Sequence, residues 1–213
     1  MFLSPAPDVC WLYLLRHGAT DYNLRRPPVL QGRSVDLSLS AEGCRQAEAA
    51  SRFLEGAQLS AVFSSYLKRA QETAAIVASP HGVSVVTRPE IAEVDVGNWE
   101  NRSWVEIEQT EPEAFRLFHN DPGTHGYAGG ENLTQVLDRA RPVFDEILVS
   151  HLGKAVAVVG HNVVNRAYLA HLLGVPMSKA RKVLQDNCCV NVIRYHNSEA
   201  TVWTLNATFH LRR

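Results

Sequence analysis

Two histidines stand directly behind runs of apolar residues. VCWLYLL at 9–15 runs on into Arg16-His17-Gly18, and AVAVV at 155–159 runs on into Gly160-His161-Asn162. Neutral imidazole is a competent nucleophile near pH 7, because its reference pKa is about 6.5. A guanidinium beside it offers a planar fork that fits phosphate oxygens, and a following glycine lets a ligand approach the backbone. Together these residue types suit phosphoryl transfer. A phosphomonoester is a dianion near neutral pH and repels an anionic nucleophile, whereas an uncharged one avoids that repulsion. Arginines and a second histidine would meet the charge on the equatorial oxygens in flight. His17 can present a lone pair only if its other ring nitrogen has an acceptor, such as a backbone carbonyl.

The elements that must position these groups alternate. Strands are expected at 9–15, 59–65, 83–88 and 155–161, each short and apolar. Between them fall amphipathic helices at 39–56, with Ser40 as N-cap and Gly43 as a weak point, and at 66–79, stopping before Pro80. A long helix follows at 132–152, with Pro142 expected to kink it, and another at 162–174 ends at Gly174. MSKARKVL reads as a short helix, and CCVNVIRYH with ATVWTLN as a closing hairpin. This alternation predicts an α/β fold: a three-layer sandwich whose mostly parallel sheet carries helices on both faces. In such sheets ligands bind beyond the carboxyl ends of the strands, where both histidines lie, and a helix starting after His161 would offer backbone N–H groups to an anion.

The 213 residues fit one domain over 1–213. The stretch at about 98–130 differs, with six acids against two arginines, and is expected to form a short helical cap insertion. A net charge of −1 gives no reason to expect nucleic acid or an anionic membrane as partner. No apolar run is long enough to cross a bilayer. MFLSPAPD lacks the basic start of a signal peptide. Cys10, Cys44, Cys188 and Cys189 form no CxxC pair and are expected to be free thiols of a cytoplasmic protein. There is no HExxH-type cluster, so neither a metal nor another cofactor is expected.

LRHGATDYN resembles the signature of the histidine phosphatase superfamily, which includes the cofactor-dependent phosphoglycerate mutases. SSYLKRAQETA, EVDVGNWE, GGEN and VVGHN resemble its further segments, in order. The resemblance implies that His17 becomes phosphohistidine and that Arg16, Arg69 and His161 hold the phosphoryl oxygens. It implies that Glu93 is the general acid for the leaving oxygen and the base for water; Glu90 competes on position, but Glu93 has the family spacing to Gly97 and Trp99. Asn23, Gln31 and Gly32, in and before the loop QGRSVDLSLS, and Asn162 are implied substrate contacts. Glu131 either caps the helix after it or helps bind substrate. His210, in LNATFHL, either ends a strand or returns over the pocket. His161 is followed by Asn162-Val163 where many members have two glycines, so substrate choice does not carry over from any one member.

The implied activity is hydrolysis of a small phosphorylated metabolite, such as α-ribazole phosphate or phosphoserine, with a homodimer left open. The alternatives are a mutase-like phosphotransferase, disfavoured by the short insert and the short tail ending at Arg213, and a non-catalytic phospho-ligand module, disfavoured because no catalytic residue is lost. The acidic insert makes a bisphosphorylated sugar a poorer substrate unless Arg102 and Arg116 point inward.

Overall fold

The computed structural model describes residues 5–211; the beginning of MFLSPAPD and the closing Arg212-Arg213 lie outside them. The first apolar run forms β1 (Val9–Arg16), and a one-turn helix α1 (Asp21–Leu24) follows the His17 loop. Then come α2 (Ala41–Leu54), β2 (Leu59–Ser64), α3 (Lys68–Ala78) and β3 (Val85–Thr87). Residues 97–130 contain α4 (Trp104–Thr110) and α5 (Pro112–Asn120) and add no strand to the sheet. The chain continues through α6 (Leu133–Ser150), β4 (Ala155–Gly160), α7 (Asn162–Leu172) and the hairpin β5 (Val190–His196) and β6 (Glu199–Ala207).

The six strands form one sheet in the order β3-β2-β4-β1-β5-β6. β1, β2, β3 and β4 pair in parallel, while β5 and β6 add an antiparallel edge. Alternation along the strands sorts side chains to two cores. Tyr13 and Leu15 face α2 and α3, packing with Ala47, Ala50, Ala70 and Ala74. Leu12 and Leu14 face the other way, with Val156 and Val158, toward Val143, Phe144 and Tyr168 of α6 and α7. Helices thus cover both faces.

Several elements are shorter than their sequence patterns. The strand expected at 83–88 keeps only Val85–Thr87, because it lies at the sheet edge and the chain turns at Pro89. MSKARKVL forms a 3₁₀ turn at Met177–Lys182 instead of an α-helix. Pro142 lies inside α6, and the helix runs on to Ser150. Gly43 is less a weak point than a packing requirement. A Cβ there would lie 2.1 Å from the Ala19 carbonyl oxygen, and one on Gly18 would lie 2.5 Å from the Gly43 oxygen. The first turn of α2 therefore presses on the loop that carries His17. Among the described residues, no helix is long and apolar enough to cross a membrane.

Candidate active site

β1 and β4 are adjacent and parallel, with Arg16 in register with Gly160, so both histidines emerge side by side. Their rings are 5.1 Å apart. The His17 loop is tied down from several sides. His17 N–H donates to the Gly160 carbonyl at 3.1 Å, and Gly18 N–H donates to Thr73 Oγ1 at 3.0 Å. Ser40, the N-cap of α2, donates its hydroxyl to the Ala19 carbonyl at 2.8 Å. From the far side, Cys188 N–H reaches the Arg16 and His17 carbonyls, and Asn187 Nδ2 donates to the His17 carbonyl at 3.0 Å.

His17 Nδ1 lies 2.7 Å from the Gly18 carbonyl oxygen. A carbonyl only accepts, so Nδ1 carries the proton and Nε2 keeps its lone pair. Burial, followed by the charges of Arg69 and Arg16, holds the His17 pKa well below the ordinary imidazole range. His17 is therefore neutral at pH 7 with its free nitrogen unprotonated. Burial, Arg69 and His17 hold His161 low in the same way. His161 Nε2 lies 2.6 Å from Ser65 Oγ, whereas its Nδ1 is buried without a protein partner.

A cavity of about 300 Å³ opens at these strand ends. Of the residues expected at the site, Arg16, His17, Asn23, Gln31, Glu93 and Asn162 line it. Arg69 and His161 are not in its wall; both are fully buried beside His17. Arg69 spans from α3 to the Gly32 and Val35 carbonyls, at 3.0 and 2.8 Å, and its Nε is unpaired. Glu93 is buried and accepts the Val94 N–H at 2.9 Å and the Val163 N–H at 3.1 Å. Part of the positive N-terminus of α7 is thus taken by a carboxyl group of the protein itself. Glu90 is exposed and away from the cavity.

Three expected contacts lie elsewhere. Glu131 does not line the cavity, and Asn132, not Glu131, caps α6. Its carboxylate accepts Arg139 Nε at 2.7 Å and the Asp95 N–H at 2.9 Å, while Arg139 also grips the carbonyls of Glu90, Ala92 and Glu93. Glu131 and Arg139 therefore fix the segment that presents Glu93. Gly32 is outside the cavity wall and supplies the carbonyl that holds Arg69. His210 stacks on Phe53 of α2 and contacts the Cys188 carbonyl at 3.0 Å, away from the cavity. Arg102 is bound to Glu106, Thr110 and Glu111, and Arg116 is exposed, so neither points inward.

Other residues entered the site without having been singled out. Ser65 lies inside SSYLKRAQETA, four residues before Arg69, and its hydroxyl meets His161 Nε2. Arg166 lines the cavity from α7, one turn after Asn162, a spacing that puts both on one helical face. Arg181, Asn187, Trp104 and Tyr127 also line it. The last two belong to an aromatic cluster with Trp99 and Phe118 that joins α4 and α5 to the rim. Among the described residues, no group of three or more His, Cys, Asp or Glu side chains is placed to hold a metal ion.

The chain belongs to the histidine phosphatase superfamily (branch 1), whose family model matches residues 12–208. It is 32% identical to phosphoserine phosphatase 1 of Hydrogenobacter thermophilus over 201 residues, covering 94% of this chain and 93% of that one. It is 30% identical to the probable phosphoglycerate mutase GpmB of Proteus mirabilis over 188 residues, covering 88% and 86%. The solved structure of a putative alpha-ribazole-5'-P phosphatase from Escherichia coli superposes with a TM-score of 0.82 at 28% identity, covering 93% of this chain and 96% of that one.

Proposed function

We propose that this protein hydrolyses small phosphomonoesters through a phosphohistidine on His17. The observation that carries the reading is the state of His17: neutral, with Nδ1–H held by the Gly18 carbonyl and Nε2 free at the cavity. In the first step Nε2 attacks phosphorus, the ester P–O bond breaks, and the alcohol leaves with a proton from Glu93. Arg16, Arg69 and His161 meet the charge on the transferring group. In the second step water attacks phosphorus, Glu93 takes its proton, and the N–P bond breaks to release phosphate and restore His17. Glu93 is positioned for both steps by the Val94 and Val163 N–H groups. The names of the relatives, a phosphoserine phosphatase and a putative alpha-ribazole-5'-P phosphatase, support small phosphorylated metabolites as substrates. A cytoplasmic location and the option of a homodimer belong to the same proposal.

Rapid-quench labelling with a phosphorus-labelled monoester tests it. A label that is lost in acid and survives alkali, and that is missing from a folded His17→Ala variant, is the expected result. A label with the opposite stability would indicate an acyl phosphate and a carboxylate nucleophile. Return of the label to a second hydroxyl of the acceptor, faster than its release to water, would favour a mutase of the kind GpmB is named for.

A further inference from the structure

The catalytic set leaves two cations in the cavity without work. Arg166 and Arg181 both line it, on the side of α7 and the 3₁₀ turn that follows. Among the described residues neither is in an ion pair. Arg166 is braced by one bond, Nε to the Val183 carbonyl at 2.8 Å. Arg181 lies over the Trp104 ring, 5.4 Å from its centroid, and over Phe118 at 5.6 Å. The two guanidiniums repel each other, and among the described residues Glu93 is the one acidic side chain that lines the same cavity. A substrate phosphoryl group is met by Arg16, Arg69 and His161. It leaves Arg166 and Arg181 without an ion-pair partner, although Glu93 and Asp186 lend Arg166 favourable charge at longer range.

We propose that Arg166 and Arg181 form a second anion site, and that the preferred substrate is a phosphomonoester whose alcohol carries a carboxylate. This rests on the phosphatase reading above. A planar carboxylate fits the edge of a guanidinium that is braced at Nε or stacked on an aromatic ring. A second phosphoryl dianion would crowd the first one and Glu93 with like charge. The same cavity wall includes Val94, Val96 and Val163, apolar surface that suits a short carbon skeleton. A nucleoside-like phosphate without a second anion, such as α-ribazole phosphate, would leave both arginines unpaired.

The test compares 3-phosphoglycerate with glycerol 3-phosphate, which differ in having a carboxylate or a hydroxymethyl group. p-Nitrophenyl phosphate serves as reference, and wild type is compared with Arg166→Gln, Arg181→Gln and the double variant. Wild type is expected to prefer 3-phosphoglycerate in kcat/KM. The double variant should lose about 10- to 100-fold on it, as for lost hydrogen bonds to a charged group, and stay within about threefold on the other two. Arg166→Lys should recover only part, since an ammonium is not a fork. No wild-type preference for the carboxylate, a stronger preference for a bisphosphorylated diol, or an equal loss on all substrates in the double variant would overturn the second site. Wild-type inactivity on p-nitrophenyl phosphate would instead sink the phosphatase reading.

Discussion

Ser65→Ala tests how the second histidine is set. Ser65 Oγ already accepts the Leu67 N–H at 3.3 Å, so its own proton is available for His161 Nε2 at 2.6 Å. A neutral His161 that accepts at Nε2 carries its proton on Nδ1. That nitrogen is the buried one without a protein partner, and a phosphoryl oxygen would be its acceptor. Alanine at 65 orphans Nε2 in a fully buried place and frees the opposite tautomer, which would turn a lone pair toward the anion. Orphaning a buried polar group costs about 1–3 kcal/mol. At about 1.4 kcal/mol per factor of ten, that is roughly 5- to 150-fold in transition-state binding. The assay is kcat/KM on p-nitrophenyl phosphate alongside the inhibition constant of vanadate, which mimics the trigonal-bipyramidal state. Both should worsen by similar factors, with thermal melting showing a folded variant. Values within about threefold of wild type on both, in folded protein, would refute the tautomer argument.

Glu93→Gln keeps an oxygen for the Val94 and Val163 N–H groups, so it should fold. It should slow the first, single-turnover step by about 10²–10⁴-fold on alkyl phosphates and far less on p-nitrophenyl phosphate; equal losses would demote Glu93 to a structural residue. Stability should fall on acidification. His17 and His161 resist protonation when folded and accept it near 6.5 when unfolded, so the unfolded state binds more protons below that pH. Each group then removes up to about 1.4 kcal/mol per pH unit, and urea midpoints that do not drop between pH 7.5 and 5.5 would contradict this. Gly43→Ala drives a Cβ into the Ala19 carbonyl. Overpacking of this kind costs about 1–3 kcal/mol, and activity should fall with it; an unchanged Tm and kcat would show that the contact relaxes freely. Exhaustive chelation should leave activity unchanged, and loss restored by one divalent metal would count against the arginine-based mechanism.

The sheet and its helices were legible because β1, β2 and β4 are short apolar runs, and because Ser40 and Gly174 sit at helix ends. Their strand-end position pointed to Arg16 and His17, and the family resemblance to Glu93, all three of which line the cavity. The rest depends on what folding brings together. Nothing near Glu131 in sequence reveals that Arg139, eight residues on, turns it away from the cavity and onto the Glu93 segment. His210 follows a strand end, but stacking on Phe53 decides where it goes. Gly43 looks costly from helix propensity alone; its value lies in contact with Gly18 and Ala19, which are distant in sequence. Arg166 could have been found from its one-turn spacing to Asn162, whereas Arg181 carries no local signal.

The central place of β1 has a consequence for the protein during its synthesis. β1 is made before every other strand of the sheet, and both its neighbours come much later: Trp11 pairs with Ala155 on one side and Arg194 on the other. At about 5–20 residues per second, the ribosome takes roughly 7–30 s to pass from Trp11 to Ala155. For that time this central strand has two open edges and no partner, which exposes it to the wrong one. The Cys188 N–H that fixes the Arg16 and His17 carbonyls arrives later still. A chain stalled just after His161 therefore holds every residue of the proposed phosphoryl chemistry and lacks the backbone that sets the nucleophile.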